Sequence, residues 1–204
     1  VRLDGHTIYG FTPTARTGLV WAPEQAPFSA KLLMGRSYKA PSAEQLFTRP
    51  MTVLDIKGRP ELESQRAYTT ELAGAWKLPG GLGEISANAF VTSVVGRVEF
   101  VQTGLYLQAD NVRDEWVVGG ELDGRFALGR SFQLRLASGI ARTVAHSVDA
   151  DLEGLPEVTN PLFPAYQVHL SGIWTTPWAG VRVYPEISYI GPRSASQPNA
   201  LEMG

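Results

Sequence analysis

Glu121, Asp123 and Arg125 alternate along the chain and are the first group whose types and spacing could do chemistry. Two carboxylates on one strand face are what a hydrolytic acid–base pair requires. The arginine beside them favours a salt-bridge network instead, and nothing nearby in the sequence would raise the pKa of either acid. The histidines His6, His146 and His169 share no metal-ligand spacing and have no adjoining carboxylate cluster. There is no P-loop, G-x-G-x-x-G or G-x-S-x-G pattern. The absence of cysteine from the 204 residues excludes thiolate sites, cysteine nucleophiles and disulfides. No catalytic residue, metal or cofactor is expected.

Composition sets broad limits. With 44% hydrophobic and 19% charged residues, the chain can bury apolar surface and is not of disordered type. A net charge of −2, with no basic run interleaved with aromatics, argues against nucleic acid as a partner. The first residues show neither a basic nor an apolar leader region, so no signal peptide is expected there. The longest stretch free of Asp, Glu, Lys and Arg, 158–181, contains Pro161, Pro164 and Pro177, so a membrane-crossing helix is not expected. The remaining way to cross a bilayer is a closed β-barrel.

The elements that must position any site are strands. Alternation predicts about eight of them, at 14–22, 28–37, 64–77, 83–103, 115–128, 132–143, 166–174 and 181–190. Short connections lie near Pro23, Pro79, Gly129 and Pro177, and long ones at 38–66, 104–113 and 144–164. Loops sorted by length in this way fit a transmembrane barrel with tight turns at one rim. Trp21, Trp76, Trp174 and Trp178 lie near the short turns, where an interfacial girdle belongs, and Trp116 lies near the opposite end. Pro185 within the last strand suggests a bulge.

If the apolar face meets lipid, the other face lines an interior. Lys31, Glu71, Lys77, Glu84, Arg97, Glu121, Asp123, Arg125, Arg135, His169, Arg182 and Glu186 belong to that face. Arg97 is out of phase with Glu84, so the long strand needs a bulge.

One block is more specific. Gly35, Arg36, Tyr38, Lys39, Ala40, Pro41, Ser42 and Leu46 are followed by Pro60, Leu62, Glu71 and Leu72. Pro41 stops the strand, and Ser42 with Gln45 has capping-box spacing. This block resembles a signature of TonB-dependent outer-membrane receptors, with Gln45, Gln65, Ala73 and Gly58-Arg59-Pro60 as departures. A second stretch from Tyr189 to Asn199 also resembles the family. The resemblance implies an all-β, antiparallel, up-and-down transmembrane barrel, with these strands part of a barrel of about 22. Residues 1–204 would then belong to a barrel domain, without its plug domain and terminal strands.

The function implied is active transport in the bacterial outer membrane of a scarce nutrient such as a ferric siderophore, cobalamin or glycan. The expected partners are outer-membrane lipid, the protein's own plug domain, a TonB-type energy transducer and a bulky ligand such as a metal chelate. Arg36, Tyr38, Lys39 and Tyr106, with Arg97, Glu121, Asp123 and Arg125, are the candidate ligand contacts from outer loops or lumen. Two other readings compete. One is a small eight-stranded outer-membrane barrel acting as anchor or adhesin. The other is a soluble β-sandwich binding module, which would need turns at closer spacing.

Overall fold

The computed structural model describes residues 1–8, 10–147, 164–178, 180–194 and 202–203. Period-two alternation becomes one meandering sheet. Its strands are β1 (Arg2–His6), β2 (Gly10–Trp21), β3 (Phe28–Lys39), β5 (Gln65–Leu78), β6 (Gly83–Thr103), β7 (Tyr106–Leu128), β8 (Phe132–Ser147) and β9 (Tyr166–Thr175). The last position is shared by β10 (Arg182–Val183) and β11 (Glu186–Ile190), which both pair with β9. Each strand pairs antiparallel with its sequence neighbour, the order an up-and-down barrel requires. Two further short strands, β12 (Arg193–Ser194) and β13 (Glu202–Met203), pair only with each other. Among the described residues β1 does not pair with β10 or β11, so the large sheet is open. A closed eight-stranded barrel and a two-layer sandwich both disagree with that topology.

Several elements differ from the sequence reading. β1 was not expected, because RLDGH alternates too briefly to be distinguished from loop. The expected long connection at 104–113 is ladder instead: Thr103 pairs with Tyr106 across a two-residue turn, and β7 begins at Tyr106 rather than near residue 115. Asp110 and Asn111 made that stretch look like a loop tip. They stand in strands that project beyond their neighbours, where both faces can carry polar residues. The expected connection at 148–163 lies outside the described residues.

Pro185 does not insert a bulge. Val183 faces Trp174 and Glu186 faces Ser171, so the register is the same on either side of it. The Pro185 carbonyl still accepts from Gly172 N–H at 2.9 Å, but proline has no N–H to return the bond, and the ladder is interrupted there.

The segment between β3 and β5 folds on itself. Ser42 caps α1 (Ala43–Phe47): Gln45 N–H donates to Ser42 Oγ at 3.2 Å, and Ser42 N–H donates to Gln45 Oε1 at 2.9 Å. Gly58 N–H donates to Thr48 C=O at 2.7 Å, and a Cβ on Gly58 would lie 2.6 Å from the backbone nitrogens of Phe47 and Thr48. Only glycine permits this approach. β4 (Ile56–Lys57) then joins the free edge of β7 beside Leu107 and Gln108, the one parallel pairing among the described residues. Leu46 and Leu62 close on Ala109, with the partly buried Val98 against them, and Leu46, Leu62 and Ala109 are the buried hydrophobic residues among those described.

Candidate functional site

Cross-strand partners share a face of the sheet, so register decides which side chains point together. One row runs Lys77, Glu84, Arg125, Arg135, Ser171 and Glu186. The next runs Ala75, Ser86, Asp123, Ala137, His169 and Ser188, and the third Lys31, Ala73, Asn88, Glu121, Gly139 and Gln167. Every charge assigned to this face from alternation in these strands lies on it.

Asp123 is the centre of a small ion network. Arg135 donates to Asp123 Oδ2 through Nε at 3.1 Å and Nη2 at 3.0 Å, and Arg125 Nε lies 3.3 Å from Oδ1. Arg125 and Arg135 are more than half exposed, so each pair contributes at most about 1 kcal/mol. His169 Nδ1 lies 2.9 Å from Ser188 Oγ and 3.7 Å from Glu186. The Asp123 carboxylate is held between two arginines, and this network is electrostatic rather than catalytic.

Higher on β6, the bulge required by Arg97 is present. Val94 pairs with Glu115 and Arg97 with Arg113, the extra residue being taken up around Gly96 at φ 68. The shift turns Arg97 toward the charged face, where it pairs with Glu115 and lies 3.3 Å from Glu99. A compensating shift on β7 follows at once. Asn111 locks the kink: its Nδ2 donates to Gly96 C=O at 2.7 Å and Glu63 C=O at 3.1 Å, and its Oδ1 accepts from Glu63 N–H at 3.0 Å. Arg59 pairs with Asp110.

The opposite face carries no Asp, Glu, Lys or Arg in β2 from Ala15 to Trp21, in β3 from Phe28 to Met34, or in β7 from Val118 to Leu128. Leu19, Met34, Leu72, Trp76, Val118, Leu122, Leu128 and Ile140 stand exposed there. A water-soluble monomer rarely shows so large an apolar patch. Ten steps of β7, at about 3.3 Å each and tilted by roughly 40°, give about 25 Å, the height of a barrel's lipid-facing band. Trp21, Phe28, Trp76, Phe132 and Trp174 close the band near the short turns, with the Trp21 and Phe28 rings 4.9 Å apart.

The sequence-derived candidates therefore fall into separate groups. Glu121, Asp123 and Arg125 are together. Arg97 stands about eight residues higher along the wall, at roughly 26 Å, and Tyr106 is at the tip of the β6–β7 hairpin. Lys39 shares the charged face with Gln65, whereas Arg36 and Tyr38 lie on the apolar face at its loop end. The set of interior charges left out Arg16, Glu99 and Glu115, which also lie on the charged face. The phases of Arg16 and Glu115 were available in the sequence, but that of Glu99 depends on the bulge in β6. Outside the wall, Met51 and Ile56 N–H groups donate to the Asp55 carboxylate at 2.9 Å each and hold its pKa below the usual value.

A family model described as TonB dependent receptor-like, beta-barrel matches residues 1–201. The structure is similar to the ferric enterobactin receptor PfeA of Pseudomonas aeruginosa, with TM-score 0.71 and 15% identity over 94% of this chain and 30% of that one. It is also similar to the ferric-catecholate import receptor Fiu of E. coli K12, with TM-score 0.65 and 15% identity over 91% of this chain and 25% of that one. The FrpB iron transporter of Neisseria meningitidis gives 0.68 and 12% over 91% and 28%. The chain thus spans less than a third of the length of these solved structures. No curated protein matches the chain.

Proposed function

The chain belongs to the TonB-dependent receptor-like β-barrel family, and on that premise we propose that the whole protein is an active importer of a scarce, bulky nutrient. The family comprises transport receptors of the bacterial outer membrane, not enzymes. Residues 1–204 contribute a stretch of barrel wall, with Glu121, Asp123, Arg125 and Arg97 facing the lumen. Lys39 and Tyr106 stand at its outer end as loop contacts for ligand. A plug domain occupies the lumen, and a TonB-type transducer drawing on the proton gradient acts on it. The single observation that carries this reading is the segregation of faces: an uncharged band of barrel height backed by a charged wall.

The solved relatives are described as handling ferric enterobactin, ferric catecholates and iron. A ferric siderophore is accordingly the first ligand to test, ahead of cobalamin or a glycan. Radiolabelled uptake should be measured in cells with and without the full-length gene, for ferric catecholate, ferric hydroxamate and cobalamin. One of these should enter only with the gene and stop when an uncoupler collapses the proton gradient. Uptake that ignores the gene for every compound, or persists with the gradient collapsed, would sink the reading.

A further inference from the structure

The chain crosses out of the wall along one line. β3 ends at Lys39 opposite Gln65, where β5 begins, and in the adjoining rung Arg66 faces Val95. The β6 bulge at Gly96 and the compensating shift on β7 lie next to that rung, and Arg113 is the outermost β7 residue facing β8 among the described residues. Below this line β6 and β7 have neighbours on both sides. Above it they continue as a two-stranded ribbon, beside which the described residues place only the short β4. Such a ribbon is marginally stable by itself.

Side chains, rather than the ladder, hold the joint. Gly96 falls between the rungs Val94–Glu115 and Arg97–Arg113, at φ 68. Its N–H donates to Asp114 Oδ1 at 2.9 Å, and its C=O accepts from Asn111 Nδ2 at 2.7 Å. Asp114 stands on the wall side of the β7 shift and Asn111 on the ribbon side. Above the joint, the ribbon and the segment between β3 and β5 are fastened together. Leu54 N–H donates to Leu105 C=O at 2.6 Å, and Leu107 N–H to Asp55 C=O at 3.0 Å. Arg59 pairs with Asp110, Asn111 bonds both the N–H and the C=O of Glu63, and Leu46 and Leu62 close on Ala109.

One internally bonded body, joined to the wall along a single line, has the geometry of a hinged part. Hinges use a few element-terminal residues that absorb the change in φ and ψ, and glycine at positive φ does so without a Cβ to obstruct it. We propose that the ribbon and the 40–64 segment swing together as one jaw about Gly96, with Asn111 and Asp114 as the catch that holds the observed position. Releasing the catch opens no apolar core, because Leu46, Leu62 and Ala109 travel with the jaw. It gives up hydrogen bonds that water can replace. Contacts carried by either segment, Tyr106 among them, therefore approach and leave the barrel mouth together. The inference rests on the barrel-wall reading of the sheet, but not on the transported ligand.

The test uses the intact receptor in lipid vesicles, with pairs of nitroxide-labelled cysteines placed at Met51, Leu105 and Leu72, all more than half exposed. These residues include no native cysteine, and any elsewhere in the receptor is first replaced by serine. Pulsed electron paramagnetic resonance reads the distances, and in the wild type one distance should dominate each pair. Asn111→Ala should raise the minor share of the Leu105–Leu72 and Met51–Leu72 distances about fivefold, the net worth of one hydrogen bond, while Met51–Leu105 stays narrow. Asp114→Ala removes the other half of the catch and should do the same. It keeps the test open should N111A misfold, and heat-modifiable gel mobility reports the fold. Unchanged Leu105–Leu72 distances in both variants overturn the proposal. So does broadening of Met51–Leu105, which would mean that the segment between β3 and β5 leaves the ribbon instead of moving with it. A receptor that fails every uptake assay but shows the coupled shift sinks the transport reading and leaves this one standing.

Discussion

The barrel wall and the loop-covered β6–β7 overhang are made from the same continuous strands, yet are stabilised in different ways. In the wall, Leu72, Trp76, Val118 and Leu122 are all exposed. Their apolar surroundings must come from lipid, so the sequence needs only strict alternation and matched hydrogen-bond ladders. The overhang extends past the ladders of β5 and β8 among the described residues. The segment between β3 and β5 therefore supplies its own small core of Leu46, Leu62 and Ala109, its own capped helix, and an asparagine that joins it to the bulge. The contrast teaches that one strand can obey membrane rules over part of its length and globular rules over the rest.

The sharpest way to break the contrast is to place a cation in the band. Leu122→Arg in the intact receptor should cost about 2–4 kcal/mol in urea unfolding from lipid vesicles, whereas Glu121→Gln, on the opposite face, should cost little. Equal penalties would mean that Leu122 does not face lipid. Truncating the loop core is the next largest change. Leu62→Ala should remove about 2 kcal/mol, seen by hydrogen exchange as faster amides at 43–62 with unaltered protection in β5 and β8. Loss of protection throughout the wall would show that the two regions are one cooperative unit.

A smaller effect sharpens the local picture. Ser42→Ala should destabilise α1 by about 1 kcal/mol, with the Gln45 amide responding most. Acid should have the smallest effect. Because the Asp55 carboxylate has a depressed folded-state pKa, its stabilisation is present above the unfolded value of about 3.9 and is lost as pH falls through the lower folded value. The Met51 and Ile56 amides should lose protection only in that acidic window. Protection lost near neutrality would rule Asp55 out as the cause.

Most of the wall was readable from the chain. The face assignments of β2, β3, β5, β8 and β9 follow from counting by two, and the Ser42–Gln45 cap follows from a short motif whose partners are three residues apart. The required bulge was readable too, because Arg97 and Glu84 cannot share a face without one. The overhang was read less well. Polar residues near Asp110 resemble a loop because their alternation carries no apolar signal, and Pro185 suggests a bulge where the register is unbroken. The candidate site was legible as a set of residues, but not as separate groups at different heights.

The sequence by itself determined what is local and periodic: strand faces, strand stops at Pro41 and Pro79, the aromatic ends, and the motif block with its family resemblance. Those depend on backbone geometry within a few residues and on one side chain in two pointing the same way. Only the tertiary structure decided that Leu46 and Leu62 meet Ala109, that Asn111 pins Glu63 to Gly96, that Arg97 pairs with Glu115, and that Arg36, Tyr68 and Trp116 lie in one row. Each depends on the register between segments distant in sequence, and register is set by the summed pairing of whole strands rather than by any residue's own preference.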